Sequence, residues 1–501
     1  MTGWMTQPDP GLLDAADTAL GKALAGRPLV TAERFGSSMR TLYAGPGPLA
    51  RARPLAAIGC YPAWDAAAWP GAVLAAEDRT RVRGPVQRHA WMEEVDGEAA
   101  ALLAALPAPP VVAAWYATGR LRRWAGPGGA VAAIDGRLRA VIEDKAAFDH
   151  LLEAAGVPQR MRIPALRVDG KLPALSELRR RVGTERLVVQ AGADSGGRGT
   201  VFVDNDADLA RAAAMPGPYK IAAFVAGWSS NTTVLSVPDE NGSVAVYVDR
   251  PSHKAIGIAE AGIGPGKSAG NDWSRPWPAE AAADLVDASV RIATHLWAEH
   301  RMAGLFGLDT ILTPDGRAVF NEINCRNQGT TEVSGVNQQL RGLPPFAAAH
   351  LTVLLGHRVV WLPAPEEFNA DTIGVATTVG AGPFYLKLRH RGMTPVRLTG
   401  LRGSGVYRLG GAGGLLWVRP GLHPGQANAD LGELLLANLP AEDVLCLPGA
   451  ELGTAEALTT GPGTPFAAPH QLSGLGAAVL QALAAHLTPV SDPTSCEGTP
   501  S

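Results

Sequence analysis

The sequence predicts three folded parts: an N-terminal α/β segment, an α+β core and a C-terminal α+β module. Its 501 residues are too many for a single hydrophobic core. From residue 54 to about 140, apolar runs alternate with helical patterns, which is typical of a small α/β layer with parallel strands. Between residues 371 and 420, short strand-like runs are broken by Gly, and this change in pattern marks a further module.

The N-terminal segment is predicted over residues 1–140. A helical pattern covers residues 12–24, and a Gly- and Pro-rich loop follows at 45–48. The candidate strands are apolar runs at residues 55–58, 111–115 and 130–134. Helical patterns separate these runs, so we expect the strands to lie parallel in one sheet.

The core is predicted over residues 141–335. A helix is expected from about residue 143 to 155, with Gly156 as its C-terminal cap, and a longer helix at 279–302. Strands are expected at 187–190, 200–203 and 219–225, with a helix at 206–213. Residues 231–237 and 244–248 have the pattern of an antiparallel pair.

The C-terminal module is predicted over residues 336–487. It begins with a helix that reaches about residue 355. Short strands are expected at residues 373–378, 384–388, 396–398, 406–409 and 415–418. Residues 488–501 are rich in Pro, Ser and Thr, and this composition predicts a disordered tail.

The composition argues against several classes of partner. A net charge of −3 gives no electrostatic basis for binding nucleic acid or an anionic membrane. The most apolar stretch, residues 102–117, contains three prolines and is too broken to cross a bilayer. The first residues lack the pattern of a signal peptide. The four cysteines are scattered without metal-like spacing, so we expect a reduced, cytoplasmic protein.

The most informative motif is a hairpin near the middle of the chain. An Asp-Gly pair at 315–316 lies between two apolar runs, and this pattern favours a two-residue hairpin loop. With that loop, Asp309 falls directly opposite Glu322. Strand side chains alternate between the two faces, so Asn324 and Arg326 lie on the same face as Glu322.

This face has the chemistry of a metal and phosphate site. Two carboxylates and an amide suit a hard cation such as Mg²⁺, with phosphates as further ligands. A guanidinium beside them can hold a phosphate or a carboxylate. The competing interpretation is a surface hairpin with solvated charges. The metal site is favoured because the turn register and the Glu-x-Asn-x-Arg spacing agree independently.

A second motif is the Gly-rich segment between the strands predicted at 187–190 and 200–203. It consists of Ser195, Gly196, Gly197, Arg198 and Gly199. Glycines let backbone N–H groups turn toward a phosphate and let the phosphate come close. The segment lacks the Lys-Ser/Thr of a Walker-type loop, so a hairpin that covers phosphates fits it better than such a loop. A simple connecting turn is the alternative.

Taken in order, these motifs resemble the ATP-grasp superfamily, which includes D-alanine ligases, biotin carboxylases and small peptide ligases. The order is Lys145 at a helix start, the Gly-rich hairpin, a hinge strand, Asp309, and Glu322-x-Asn324-x-Arg326. The resemblance covers about residues 140–335. The segment before it looks like the domain that precedes an ATP-grasp core. It implies that ATP lies between two α+β subdomains and that the reaction passes through an acyl phosphate.

The resemblance also implies a role for each matching residue. Asp309, Glu322 and Asn324 are expected to bind one or two Mg²⁺ ions, with Mn²⁺ as an alternative, and Lys145 to contact ATP phosphate. Ser195, Gly196, Gly197 and Gly199 are expected to cover the phosphates. Phe224 and Val225 are expected beside the adenine. Arg326 would stabilise the acyl phosphate or orient the carboxylate substrate.

The chain departs from the family pattern at two places. Gln190 stands where the family has a phosphate-binding lysine, so either Arg198 or Lys254 replaces that charge or nucleotide affinity is low. Ala222 and Ala223 occupy the place of the acidic residue near the adenine hinge.

Three further polar groups have two interpretations each. For Lys254, contact with the γ-phosphate and a solvated loop are equally favoured. Glu332 either shapes the substrate pocket or caps a helix. The basic cluster at residues 387–391 is predicted to be a solvated strand edge rather than a carboxylate-binding patch.

The leading functional prediction is an ATP-dependent carboxylate–amine ligase that joins small-molecule substrates, amino acids or peptides, through an amide bond. The N-terminal segment and the C-terminal module look similar to antibiotic and other natural-product peptide ligases of the pheganomycin type. A second prediction is a biotin-carboxylase-like carboxylase, because residues 324–328 resemble that subgroup's loop. A third is a degenerate ATP-binding regulator, because of Gln190. The sequence leaves the acid, the amine and the oligomeric state open.

Overall fold

In the computed structural model, the N-terminal part forms a five-stranded parallel sheet with helices around it. The structure describes residues 9–35, 38–62, 71–85, 90–193, 199–411, 413–461 and 464–490. The strand order across the N-terminal sheet is Ala72–Ala75, Ala56–Tyr61, Leu29–Phe35, Val111–Ala117 and Ala130–Asp135. The main helices are Pro10–Leu24, Ala76–Thr80, Ala90–Glu94, Asp96–Ala104, Gly119–Ala125 and Gly136–Ile142. The parallel sheet predicted from the sequence is confirmed, but its central strand, Leu29–Phe35, and its edge strand, Ala72–Ala75, were not predicted.

A small antiparallel sheet follows in the chain. Its strands lie in the order Ala165–Val168, Tyr219–Ala223, Leu187–Ala191 and Thr200–Val203. The helix predicted from residue 143 begins as a 3₁₀ turn at Lys145–Ala147 and continues as Phe148–Ala154. Gly156 follows with φ +70°, the left-handed conformation that favours glycine after a helix. Helices Leu175–Val182 and Asp206–Ala213 accompany this small sheet.

A large sheet of eleven strands joins the core to the C-terminal part. Ten strands lie in the order Ala318–Asn324, Gly304–Leu312, Trp228–Pro238, Ser252–Ile256, Ser268–Asp272, Gly382–Arg389, Glu451–Thr459, Glu433–Ala437, Gly405–Leu409 and Leu415–Arg419. The eleventh, Val244–Val248, pairs with Trp228–Pro238. The predicted antiparallel pair is therefore confirmed. Strands from both sides of the boundary predicted at residue 335 share this large sheet, and the division into domains stays a prediction.

Helices cover the large sheet and carry much of its core. The longest, Ala279–His300, buries Leu285, Ile292 and Leu296 against it. Two helices, Thr331–Leu340 and Phe346–Leu354, occupy the stretch where the sequence predicts one. Helix Gly474–Ala484 packs near the C-terminal strands. Among the described residues, no helix combines the length and apolar character needed to cross a membrane.

One predicted strand is wrong, because residues 373–378 belong almost entirely to helix Pro365–Thr377. The β-branched side chains of Ile373, Val375 and Thr377 favour a strand locally. The helix has stronger signals at its start, namely Pro365 at the first position and two Glu residues in the first turn. It packs against the long helix Ala279–His300 and strand Val244–Val248, so tertiary burial overrides the local preference.

Short elements complete the fold. A four-stranded sheet contains Leu487–Pro489, Val396–Leu398, Leu445–Cys446 and Val82–Arg83, and it ties the N-terminal and C-terminal parts together. The strand Leu487–Pro489 extends past the predicted start of the tail at residue 488. The remainder of that predicted disordered tail, residues 491–501, lies outside the described residues.

Candidate active site

The hairpin that carries the predicted metal ligands has the expected register but not the expected loop. The Thr313 N–H donates to the Arg317 carbonyl at 2.9 Å, and Gly316 has φ +82°. The loop therefore contains three residues, 314–316, and the two-residue prediction is wrong. A β-bulge then places Asn321 outside the ladder, and Asp309 pairs with Glu322 as predicted. The extra loop residue and the bulge offset each other.

Each of the two carboxylates has a lysine beside it. The Lys254 ammonium lies 2.7 Å from Asp309 Oδ2, and the Lys145 ammonium pairs with Glu322. Burial raises the pKa of Asp309, with opposition from Lys254. Burial acts in the same direction on Glu322, but Lys145 and Lys254 outweigh it and hold the pKa of Glu322 below its ordinary value. Glu322 is thus an anion over the ordinary pH range.

The two residues that follow Glu322 on its face are tied to each other. Arg326 donates from Nη2 to Asn324 Oδ1 at 2.8 Å, and its Nε lies 3.2 Å from Glu143 Oε1. The guanidinium lies 5.5 Å from the centre of the Trp115 ring. Both Asn324 and Arg326 are buried. The arginine is therefore held in one orientation by Asn324, Glu143 and Trp115.

Asp309 is braced by residues that the sequence did not single out. Asn231, on the neighbouring strand, donates to Asp309 Oδ1 at 2.6 Å. Asn231 Oδ1 in turn accepts from Gln328 Nε2 at 3.1 Å and from Thr330 Oγ1 at 3.0 Å. The Gln328 side chain lies over Gly307, which has no Cβ to displace it. This network fixes one oxygen of the candidate metal ligand.

The two strands that flank the Gly-rich segment form an antiparallel pair, as expected for a hairpin. Gln190 pairs with Thr200 across it, and the Ala191 N–H donates to the Gly199 carbonyl at 2.9 Å. Gln190 is buried and donates to Thr200 Oγ1 at 3.3 Å. Gly199 is the last residue of this segment and belongs to the described part of the chain. Ser195, Gly196, Gly197 and Arg198 lie outside the described residues, so their predicted contacts stay predictions.

A further lysine, Lys220, lies beside Gln190. The two residues are directly opposite each other in the antiparallel pairing of Leu187–Ala191 with Tyr219–Ala223. Lys220 donates from Nζ to the carbonyl of Asn321, the bulged residue, at 2.6 Å. Burial, with Lys145 nearby, lowers the pKa of Lys220 to about 8. Lys220 lies within an ordinary strand pattern, so the sequence does not indicate that it belongs to the candidate site.

The hinge residues Phe224 and Val225 follow the strand that carries Lys220. The Phe224 N–H donates to the Arg186 carbonyl at 3.0 Å, and the Arg186 guanidinium lies 4.0 Å from the centre of the Phe224 ring. Val225 packs in an apolar cluster with Ile163, Ala222, Val319 and Ile311. This cluster joins the small sheet to the hairpin of the large sheet.

A cavity of about 740 Å³ borders the carboxylate pair. Asp309, Glu322, Asn324, Arg326 and Lys254 line it, together with residues from the N-terminal and C-terminal parts. The three predicted metal ligands and the two predicted catalytic side chains thus share one cavity wall. Among the described residues, no group of three or more His, Cys, Asp and Glu gathers as a metal site. The oxygen donors available to a metal here are two carboxylates and an amide, a set that fits a hard cation.

The N-terminal wall of this cavity is at the point where the strand order of the parallel sheet reverses. Glu33 and Trp115 lie near the carboxyl ends of the neighbouring strands Leu29–Phe35 and Val111–Ala117. Such switch points are the usual ligand positions in open α/β sheets. The Trp115 N–H donates to the Glu33 carboxyl group. Burial raises the pKa of Glu33 to about 8. Glu332, in the first turn of helix Thr331–Leu340, also lines the cavity and accepts from the Met39 N–H.

The C-terminal wall corrects a sequence-based interpretation. Lys387 and Arg389 lie on strand Gly382–Arg389, which pairs on both sides with other strands and is therefore interior to the large sheet. The predicted solvated strand edge is wrong. Both side chains line the cavity, and burial lowers the pKa of Lys387 to about 8. Arg389 lies 3.6 Å from Glu451 on the neighbouring strand.

Three solved structures are similar in fold to this chain. The biotin carboxylase domain of Hydrogenobacter thermophilus 2-oxoglutarate carboxylase, in complex with MgADP, ADP and bicarbonate, matches with a TM-score of 0.55 and 13% identity, over 86% of each chain. Campylobacter jejuni biotin carboxylase matches with a TM-score of 0.51 and 13% identity, over 89% of this chain and 85% of its own. Thermotoga maritima phosphoribosylamine–glycine ligase matches with a TM-score of 0.50 and 12% identity, over 92% of this chain and 97% of its own.

The chain has the ATP-grasp fold. The ATP-grasp fold spans nearly the whole chain, since these matches cover 86% to 92% of it. No protein-family model matches the sequence, and no curated protein matches it. The identities of 12% and 13% support the fold and leave the individual roles of the site residues as predictions.

Proposed function

We propose that this protein is an ATP-dependent carboxylate–amine ligase that uses Mg²⁺ and forms an amide bond through an acyl phosphate. One observation carries the proposal. The opposed pair Asp309 and Glu322 lines a large cavity, and Glu322 also pairs with Lys145, whose backbone N–H donates to Gly192 at the base of the Gly-rich hairpin. A phosphoryl donor and its acceptor need such a position, because both must approach the same bound metal ion.

The nucleotide is proposed to lie between the small sheet and the hairpin of the large sheet. The base would contact the apolar cluster around Val225. The phosphates would contact Lys145 and the Gly-rich hairpin, whose base at Gly192 is bonded to Lys145. Mg²⁺ bound by Asp309, Glu322 and Asn324 would offset the negative charge of the phosphates. The structures of similar fold include complexes with MgADP and bicarbonate and with a β-γ-ATP ligand.

The residues of this chain have separable tasks in the proposed reaction. Arg326 lies on the cavity wall and would hold the substrate carboxylate, whose approach to a phosphate is otherwise repelled. Lys254 would supply a second positive charge as the γ-phosphoryl group moves to that carboxylate. The acyl phosphate would then react with an amine held in the same cavity, releasing phosphate. The cavity must exclude water during this step, because an acyl phosphate hydrolyses readily.

The cavity walls support small polar substrates. Lys387 and Arg389 offer positive charge at the C-terminal wall, and Glu33 and Glu332 offer carboxyl groups at the N-terminal and helix side. Such a mixture suits substrates that carry both amine and carboxylate groups. We propose amino acids or short peptides as this class, and a place in natural-product biosynthesis.

The test is a screen of amino acids and short peptides for ADP and phosphate release, with products identified by mass. The wild type should release phosphate with a matching acid and amine and form their amide. Glu322→Gln keeps the shape of the side chain and removes its charge, so turnover should fall at least about 100-fold. Asp315→Asn, in the exposed loop of the same hairpin, is the matched control and should leave turnover unchanged. Near wild-type turnover in Glu322→Gln would remove the metal assignment.

A carboxylase is the second candidate. The segment from Asn324 to Gln328 resembles the loop of biotin carboxylases, and Arg326 and Gln328 both line the cavity. A bicarbonate arm in the same screen separates the two functions. ADP release that requires bicarbonate and yields no amide would favour the carboxylase, whereas ATP binding without ADP release in any arm would favour a regulatory protein.

A further inference from the structure

Lys220 is a buried lysine of the small sheet. It lies close to Gln190, the residue that stands where the family has a phosphate-binding lysine. Its strand pairs with the strand of Gln190, and the two residues are directly opposite. Directly opposed residues of antiparallel strands project from the same face of the sheet. Lys220 is 3% exposed. An ammonium group therefore lies beside the uncharged Gln190 side chain.

The contacts of Lys220 differ from those of the two lysines that pair with the hairpin carboxylates. Lys145 and Lys254 each pair with a carboxylate of the hairpin. Among the residues that the structure describes, Lys220 has no carboxylate at ion-pair distance, and its Nζ donates to the Asn321 carbonyl at 2.6 Å. Its Nζ lies 5.4 Å from the centre of the Phe148 ring. A buried cation with only neutral acceptors is a favourable partner for an anionic ligand.

Backbone hydrogen bonds place this lysine next to the base of the Gly-rich hairpin. The Gly192 N–H donates to the Pro218 carbonyl at 2.8 Å, and the Lys145 N–H donates to the Gly192 carbonyl at 3.1 Å. These bonds connect the Gly-rich hairpin, Lys145 and the start of the strand that carries Lys220. On the other side, the bulged Asn321 precedes the candidate metal ligand Glu322. Lys220 therefore lies between the hairpin that would cover phosphates and the hairpin that would hold their metal ion.

We propose that Lys220 binds the terminal phosphates of a nucleoside triphosphate and supplies the positive charge that Gln190 lacks. This inference rests on the proposed function, and it assigns a specific phosphate ligand within it. Lys220 lies on the strand adjacent to that of Gln190, directly opposite it and on the same face of the sheet. On this basis neither Arg198 nor Lys254 is needed to replace it, and nucleotide affinity need not be low.

The experiment compares ATP with AMP, which lacks the β- and γ-phosphates. Binding of each to the full chain is measured by calorimetry, with Lys220→Met as the test variant because Met retains the apolar stem. ATP affinity should fall about 10- to 100-fold, as expected for a lost charged hydrogen bond, while AMP affinity stays within about threefold. Lys171→Met, at an exposed lysine of the same region, is the matched control and should change neither affinity.

An exchange variant tests the position itself. Lys220→Gln combined with Gln190→Lys returns the amine to the opposite strand and should restore ATP affinity to within about threefold of the wild type. This second variant keeps the test decisive if Lys220→Met fails to fold, since it retains both side-chain types. An equal loss of ATP and AMP affinity in Lys220→Met would indicate a purely structural lysine and overturn the inference. Unchanged ATP affinity would overturn it as well.

The outcome also separates this inference from the proposed function. A wild type that binds no ATP would overturn both. A wild type that binds ATP and turns it over with an acid and an amine, together with a Lys220→Met variant of unchanged ATP affinity, would overturn only the role of Lys220.

Discussion

A single added methyl group at Gly307 should disturb the candidate metal site from a distance. Gly307 lies directly opposite Asn324 in the hairpin, and the space beside it holds the side-chain amide of Gln328. A Cβ at position 307 would overlap that amide. The Gln328 side chain must rotate away in Gly307→Ala, and it then loses its hydrogen bond to Asn231.

The size of the effect follows from the remaining contacts. Asn231 keeps its hydrogen bond from Thr330 at 3.0 Å and loses only the one from Gln328 at 3.1 Å. One neutral buried hydrogen bond and local overpacking together correspond to about 1–3 kcal/mol of unfolding free energy. Asp309 stays bonded to Asn231 but becomes less well oriented. Loss of such an indirect support for a metal ligand weakens metal binding about 10-fold or more.

The assay is a double-mutant cycle. Binding of Mn²⁺ in the presence of ADP is followed by electron paramagnetic resonance for Gly307→Ala, Gln328→Ala and the double variant. Each single variant should weaken binding about 10-fold, and the double variant should be no weaker than Gln328→Ala alone. Gly374→Ala, at an exposed helical glycine with open space around it, is the control and should leave Mn²⁺ binding unchanged. Additive losses in the double variant would refute the proposed relay through Gln328, because independent sites add.

Two further predictions concern stability. Arg83→Met should lower the unfolding free energy by about 3–5 kcal/mol in denaturant titrations, because it leaves the buried Glu77 carboxylate without its guanidinium; adding Glu77→Gln should recover part of the loss. Burial lowers the pKa of His350 to about 3, below the unfolded value near 6.5, so its neutral form stabilises the fold above pH 6.5 and this contribution is lost as pH falls toward 3. His350→Asn should therefore reduce the difference in unfolding free energy between pH 7.5 and 5.5 by about 1.4 kcal/mol.

The hairpin was accessible to sequence reasoning because its information is local. The Asp-Gly pair, the two apolar runs and the alternating polar residues all lie within about twenty residues, and they fixed Asp309 opposite Glu322. Neither the three-residue loop nor the bulge at Asn321 was predicted. The prediction of the register succeeded because these two irregularities cancel, which no local pattern reveals.

The missed central strand has a different cause. Leu29–Phe35 contains Glu33 and Arg34, and these polar side chains interrupt the apolar run that identified its neighbours. Glu33 lines the cavity. A polar residue at this cavity position interrupts the apolar pattern by which a strand is recognised. Conflict between local pattern and fold is expected where a strand carries part of a binding site.

The supporting residues of the site could not be found from the sequence, because they meet only in three dimensions. Asn231 reaches Asp309 across a strand pairing between residues 78 positions apart. Lys220 reaches Asn321 across 101 positions. Each is an ordinary polar residue within its own segment. An antiparallel strand pairing brings Asn231 to Asp309, and the packing of the small sheet against the hairpin of the large sheet brings Lys220 to Asn321.

The strand Gly382–Arg389 has a practical consequence for anyone who wishes to study the nucleotide-binding half by itself. It forms hydrogen bonds along the open side of Ser268–Asp272, and its Lys387 closes one wall of the pocket. A fragment ending near residue 335 would leave that backbone edge bare, and such edges recruit other chains into aggregates. A fragment truncated there should therefore be insoluble and inactive. Biochemical work is best done on the full-length chain.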